Sequence, residues 1–171
     1  MNFLEIVKQR ESIRNYDPAK PVPMDILLQI LEAGRLAPSA ANFQPWQFVV
    51  VSSPEKLAAV CATYPRAWFA DAPYVLIVTG NKEKAWKRAD GYNSIETDLT
   101  IAMNHLILAA ESLGVGTCWI ANFDYTTLRL VLELSEKEVI FAITPLGYPK
   151  AGFVKKGQKL RKPIDEVVKF I

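Results

Sequence analysis

Helices and strands alternate along this sequence, an order that by default predicts an α/β domain built on a parallel sheet. Two observations carry the expectation. Apolar residues recur at helical spacing in blocks such as Met24 to Leu36 and Ser94 to Leu113. Outside them lie short apolar runs at 46–52, 74–80, 117–121 and 139–146, rich in Val and Ile except at 117–121. No repeat, low-complexity tract or long linker interrupts the series, so residues 1–171 read as a single domain.

Each element has a local cause. Asn2 with Glu5 three residues on has the form of a capping box and opens a short helix through about Arg10. Glu11 to Pro18 reads as extended or irregular chain. Ile26, Leu27, Ile30, Leu31 and Ala33 give the next helix one apolar face, and it must end before Pro38. Trp46 to Ser52 is the first strand, with Trp46 expected to pack inside. Ser53-Pro54 then starts a short helix with proline at its first helical position. Tyr74 to Gly80 is the second strand.

Ser94 to Leu113 is the longest helix, apolar around much of its circumference through Ile95, Leu99, Ile101, Met103, Leu106, Ile107 and Leu108. Such a helix is covered on most sides, in a core or between subunits. Gly114-Val115-Gly116 ends it, and Thr117 to Ala121 is the third strand. Asp124 caps a helix through Leu132. Val139 to Leu146 is the fourth strand, and a Gly/Lys-rich arm leads to a short helix from Pro163.

Composition removes several classes of function. Half of the 171 residues are hydrophobic and 22% are charged, which places the chain among globular proteins with one well-buried core. A net charge of +2 gives no general attraction to nucleic acid or to an anionic membrane. No segment reaches the ~20 apolar residues of a membrane span. The N-terminus has no apolar run of signal-peptide length, so a soluble, cytoplasmic protein is expected. Cys61 and Cys118 form no CxxC pair and are expected to be reduced, buried thiols.

Several chemistries are also excluded. His105 is the single histidine, lies inside the longest helix and has no nucleophile motif beside it, so a packing or interface role is expected. One histidine and two distant cysteines supply no metal-ligand spacing. Glu96 and Asp98 are two apart on a helix and point in different directions, which disfavours a paired-carboxylate hydrolase. Gly-x-Gly-x-x-Gly between strand and helix is missing, as is a P-loop.

The cations and one loop say more. Arg10, Ser12 and Arg14 alternate, and in extended chain such side chains share a face at roughly 6 to 7 Å intervals. Two guanidinium forks with a hydroxyl between them suit a phosphate or another polar anion. Lys159 and Arg161 repeat the alternation near the other end. The connection Ala37-Pro38-Ser39-Ala40-Ala41-Asn42-Phe43-Gln44-Pro45-Trp46 lacks the Gly or Asp-Gly of an ordinary turn. Its small residues and prolines look shaped to fit something.

Together these residues resemble the FMN-dependent nitroreductases. Three features carry the likeness: Arg10-x-Ser12-x-Arg14-x-Tyr16; Ala37-Pro38-Ser39-x-x-Asn42-x-Gln44-Pro45-Trp46; and the block from Ala109 through Leu113, Gly114, Gly116, Thr117, Cys118, Trp119 and Ile120. The last block is followed by Pro145-Leu146-Gly147-Tyr148-Pro149 and by Arg161-x-Pro163. The resemblance covers about residues 3 to 165, with every block in family order.

What it implies goes beyond the residues' own pattern. The fold would be α+β in three α/β/α layers, with a central, mostly antiparallel sheet flanked by helices, in an obligate homodimer. Two FMN molecules would sit at the dimer interface. Arg10, Ser12, Lys159 and Arg161 would hold the phosphate and ribityl chain, and Arg14 the pyrimidine edge. Pro38, Ser39, Ala40 and Asn42 would approach from the partner subunit, and backbone around Ile120 and Ala121 would face flavin N5. The implied activity is an NAD(P)H-dependent oxidoreductase reducing nitroaromatic, quinone or related electron-poor compounds by ping-pong hydride transfer, with NADH or NADPH as donor. The alternatives are a flavin-holding protein, or a flavin-destroying or dehalogenating relative on the same fold. Those relatives rely on lid insertions, and the short stretch around Ala85-Trp86-Lys87-Arg88 leaves little room for one. Several classical members also use an Asn/Lys pair ahead of the second strand, a part that only Arg66 could play here.

Overall fold

The capping box at the N-terminus forms in the computed structural model, which describes residues 2–157 and 159–171. The Glu5 N–H donates to Asn2 Oδ1 at 3.0 Å and the Asn2 N–H to Glu5 Oε2 at 2.9 Å, starting α1 (Phe3–Gln9). After extended chain comes α2 (Met24–Arg35), which stops short of Pro38. A one-turn 3-10 helix at Ala40–Asn42 leads to β1 (Trp46–Val51). Then follow α3 (Pro54–Ala62), with proline at its start, α4 (Ala67–Ala70) and β2 (Tyr74–Asn81). The second half holds α5 (Ile95–Ser112), β3 (Gly116–Thr117), α6 (Tyr125–Val131) capped by Asp124, β4 (Glu138–Gly147) and α7 (Ile164–Val167).

The strands are ordered β1-β2-β4-β3, and every neighbouring pair is antiparallel. The parallel sheet expected from element order alone is overturned, and the α+β arrangement implied by the resemblance is the one found. A parallel neighbour needs a crossover that returns the chain to the starting end of the sheet. Here Val51, the last residue of β1, pairs with Val75 at the start of β2. The chain therefore leaves and re-enters at one end, and α3 with α4 forms an excursion. No helix was expected at Ala67–Ala70, and four residues are too few to show a period.

Alternation along β2 divides the core. Leu76 and Val78 face a cluster built by α2 and α5 with Leu27, Ile30, Leu99, Met103 and Leu106. Val75 and Ile77 face a second cluster with Val60 of α3, Phe69 of α4 and Leu128 of α6. Successive strand residues point to opposite faces, so one apolar run serves both sides of a three-layer molecule. On α5, Leu99, Ala102, Met103 and Ala110 are fully buried. Gly34 lets α2 lie close against α5: a Cβ there would stand 2.6 Å from Leu106 Cδ2.

The third strand is shorter than its sequence suggests. Thr117 pairs with Leu146, and a bridge between Ile120 and Ile143 keeps the same register. By that register Pro145, which has no N–H to donate, lies opposite Cys118. The Cys118 N–H turns instead to Thr144 Oγ1 at 3.1 Å, and the ladder breaks there.

Candidate cofactor site

The segment after α1 is pinned edge-on to the sheet. Ser12 forms a parallel bridge with Thr117, and the Ile13 N–H donates to the Thr117 carbonyl at 2.8 Å. Ile13 is 1% exposed. Gly116 permits this approach, because a Cβ there would meet Ile13 Cβ at 3.1 Å. Tyr16 is buried and its hydroxyl donates to the Ile13 carbonyl at 2.8 Å; burial pushes its phenol well above the ordinary range. With Ile13 and Tyr16 anchored, Ser12 and Arg14 line a cavity of about 370 Å³ with Glu11, Phe153, Val154 and Lys156. Arg14 also lies over Trp68, its guanidinium carbon 5.9 Å from the ring centroid.

The C-terminal arm is laid across this segment by polar contacts. The Lys150 N–H donates to Asn15 Oδ1 at 3.1 Å, and the Lys156 N–H to Glu11 Oε1 at 3.0 Å. Lys155 pairs with Glu111, a carboxylate 7% exposed near the end of α5. Lys159 Nζ donates to the Val7 carbonyl at 2.7 Å in the last turns of α1. Its ammonium is held below the ordinary lysine range, first by partial burial and then by the positive fields of Arg10 and Arg161. Among the described residues Arg10, Arg14, Lys159 and Arg161 make no ion pair with a carboxylate. The fields of Arg10 and Arg161 on Lys159 outweigh those of Glu111 and Glu11, and a patch of net positive field suits an anion. Burial pushes the Cys118 thiol up, opposed by Arg14, a hydrogen bond from Ser12 and Arg10, so the thiol sits behind the same cluster.

The second group of residues named from the sequence lies elsewhere. Pro38, Ser39, Ala40 and Asn42 form a tight loop in which Ala41, Asn42 and Gln44 take φ of 50°, 58° and 49°. The left-handed region is costly for Ala41 and Gln44 and less so for Asn42, whose short polar side chain tolerates it. Ser39 closes the loop by accepting the Gln44 N–H on Oγ at 2.9 Å. The Ala40 N–H donates to Asp98 Oδ1 at 2.9 Å, in the first turn of α5. The arm reaches the other end of that helix through Glu111. At ~1.5 Å per residue, the rise from 98 to 111 separates the two groups by roughly 20 Å within one chain.

Ile120 and Ala121 continue the strand that Ser12 joins. Ile120 exchanges backbone hydrogen bonds with Ile143 at 2.9 and 3.0 Å, so its N–H is taken. Ala121 is exposed and its N–H makes no hydrogen bond among the described residues, so of the two it is the one left unpaired. Arg66 lies 6.0 Å from the Tyr64 ring centroid. Between β2 and α5, a bridge of Lys87 with Asn93 makes a turn and no helix. His105 is half-buried, 3.3 Å from the Ala33 carbonyl, in a cleft with Phe3, Ile6, Leu36 and Leu108. Cys61 is only half-buried, less than expected, while Cys118 is buried; both are free. Trp46 is half-buried and stacks on Phe48.

Two buried carboxylates that hold these segments, Asp98 and Glu111, are not singled out by the sequence patterns; by spacing alone Asp98 is only half of a carboxylate pair. An acidic residue at an inward helical position of a strongly apolar helix is the signal that finds both.

The sequence and the fold are shared with known proteins. A family model described as Nitroreductase family matches residues 7–64 and 60–148. A protein of Methanothermobacter thermautotrophicus, whose name couples NADH dehydrogenase with NAD(P)H nitroreductase, is 33% identical over 154 residues, covering 87% of this chain and 78% of that protein. A nitroreductase family structure from Clostridium difficile aligns with a TM-score of 0.90 at 30% identity, over 99% of this chain and 98% of its own. A Desulfovibrio desulfuricans structure in complex with FMN aligns with a TM-score of 0.80 at 25% identity, over 98% and 96%.

Proposed function

The chain belongs to the nitroreductase family, and from that premise we propose that it is an FMN-dependent oxidoreductase. It would take hydride from NADH or NADPH and reduce nitroaromatic, quinone or related electron-poor compounds by ping-pong exchange, in the cytoplasm, as a single domain across residues 1–171. The observation that carries the reading is that Arg10 and Arg161 act on Lys159, that Arg10, Ser12 and Arg14 act on Cys118, and that none of the four cations is ion-paired with a carboxylate among the described residues. Those groups fit a phosphate monoester: fixed cations and a hydroxyl supply charge-assisted hydrogen bonds to a dianion.

FMN, when bound, supplies the hydride chemistry. The chain's part is positioning and electrostatics. Arg10, Ser12, Lys159 and Arg161 would hold the phosphate end. Arg14, next along the same extended segment, would set a positive charge by the pyrimidine edge, favouring an anionic reduced ring. The Ala121 N–H would offer a donor to the ring.

The loop of Pro38, Ser39, Ala40 and Asn42 would complete the site from a second copy, because in its own chain it lies at the wrong end of α5. A homodimer is further supported by apolar surface around the cleft beside α5. Phe3, Leu4 and Leu36 are 65%, 65% and 62% exposed in one chain, and Leu160, Ile164 and Phe170 stand out on the arm. A dehalogenating reading is weakened by the turn at 87–93, which leaves no lid helix. The test is anaerobic titration of purified, FMN-loaded protein with NADH and with NADPH, followed by a nitroaromatic or a quinone. Bleaching and recolouring support the oxidoreductase; a flavin that neither donor bleaches leaves a flavin-holding protein.

A further inference from the structure

Asp98 is 1% exposed, and among the described residues no cation pairs with it. Its two oxygens are used separately. Oδ2 accepts the Ser94 hydroxyl at 2.7 Å, and Oδ1 accepts the Ala40 N–H at 2.9 Å, from a residue 58 positions away. The first turn of α5 tolerates the charge, because the positive end of the helix dipole lies there. The helix does not need the side chain for its own start, since the Asp98 backbone N–H already donates to the Ser94 carbonyl at 2.9 Å. What the carboxylate holds is the loop.

That loop would not keep its shape unaided. Ala41, Asn42 and Gln44 are all left-handed, a conformation that persists where surroundings over-determine it. Its other side-chain bonds run within the loop: Gln44 N–H to Ser39 Oγ at 2.9 Å, and Gln44 Nε2 to Asn42 Oδ1 at 3.1 Å. Among the described residues the bond to Asp98 is the one hydrogen bond that ties residues 39–44 to the α-helical layer.

We infer, resting on the flavin reading proposed above, that Asp98 is the positioning residue of the cofactor-facing loop. Its buried carboxylate selects the strained form of residues 39–42 and thereby shapes the surface that a partner's FMN meets. The carboxylate itself touches no cofactor.

The test uses the full chain and two measurements, amide hydrogen exchange without cofactor and FMN affinity by fluorescence quenching. Asp98→Ala should speed exchange of the Ala40 amide and of residues 39–44, leaving the sheet protected. It should weaken FMN binding roughly ten- to a hundredfold, because only the competent fraction of loop conformers binds. Asp98→Asn keeps an acceptor for the Ala40 N–H and turns the Ser94 hydroxyl into an acceptor, so it should stay within about threefold of wild type in both readouts. Unchanged exchange at Ala40 in Asp98→Ala overturns the inference whatever FMN does. Faster exchange with unchanged FMN affinity also overturns it, since the loop's shape would not then govern binding. A wild type that binds no FMN overturns the flavin reading and the cofactor half of this inference with it, while exchange still decides whether Asp98 holds the loop. If Asp98→Ala fails to fold, Ser94→Ala removes only the Oδ2 partner and should show both effects in smaller measure; no effect there overturns the inference.

Discussion

Replacing Arg161 with alanine should weaken FMN binding and slightly raise the stability of the cofactor-free protein, two effects of opposite sign from one removed charge. The Arg161 side chain is exposed, and its Nη1 donates to the neighbouring Leu160 carbonyl at 2.7 Å. Without an anion its field acts on Lys159, whose pKa is lowered by partial burial, by Arg10 and by Arg161, in that order. A lysine whose folded-state pKa lies below its unfolded value is a net cost to folding wherever it is charged. That cost is present below the depressed value and disappears as pH rises past the unfolded value near ~10.4. At pH 7 the cost is in force, so removing Arg161 relieves part of it. Exposed charges are worth a few tenths of a kcal/mol, which for a chain of this size raises Tm by about 1 °C. With a phosphate dianion present, the guanidinium supplies charge-assisted hydrogen bonds worth roughly 1.5 to 3 kcal/mol, a ten- to hundredfold change in Kd. The assay is fluorescence titration of FMN at fixed pH and ~0.1 M salt, with thermal melts of the cofactor-free protein alongside. The difference in affinity should shrink toward 1 M salt, where the screening length falls to about 3 Å. Unchanged FMN affinity would refute the reasoning and return the arm to a solvated tail. So would a melting temperature that falls by several degrees, because Arg161 would then be fastening the arm.

Arg14→Ala should leave FMN bound and lower its midpoint potential by roughly 40 mV, the equivalent of ~2 kcal/mol less stabilisation of a two-electron reduced ring; a redox titration of both proteins checks it. Gly34→Ala should lower Tm by about 5 °C, since its Cβ would stand 2.6 Å from Leu106 Cδ2 and strain of this kind costs ~1 to 3 kcal/mol. Leu36→Lys places a charge on the exposed apolar cleft beside α5, where the single chain tolerates it; light scattering should show monomer, with FMN lost along with the partner. The Asp124 carboxyl is held below its ordinary range by hydrogen bonds from the Thr127 side chain and backbone. Its contribution is therefore present above the unfolded value of ~3.9 and lost as pH falls through the depressed one, so Asp124→Asn should flatten the acid limb of a urea-stability profile.

Local signals were legible in the sequence and long-range ones were not. The capping box at Asn2, the proline start of α3, the Asp124 cap and the four strands each depend on residues within a few positions of one another. Strand direction depends on where the chain re-enters the sheet, and the alternation of elements does not encode that. The cation pattern could be read because extended chain converts spacing directly into geometry, and Ser12 does pair with the sheet edge. The availability of backbone groups could not: that Ile120 donates to Ile143 while Ala121 stays open follows from the register of β4. Asp98 was hidden for the same reason. Its partner lies 58 residues away, and on its own helix it looked like one more acidic residue in a first turn.

Both buried carboxylates of α5 reach away from the helix to a segment of the proposed site, Asp98 to the loop at 39–44 and Glu111 to Lys155 of the arm. A helix is stiff and its rise is fixed, so α5 acts as a spacer that keeps these segments roughly 20 Å apart in every copy of the chain. No loop movement compatible with the Ala40 bond closes that gap within one chain. A two-fold axis would: it would set the loop end of one α5 beside the arm end of its partner, and would do so twice, because a two-fold contact is the same patch on both copies. Under the proposed dimer, cofactor binding and association are thus one equilibrium, and whatever loosens either end of α5 should appear as a loss of both.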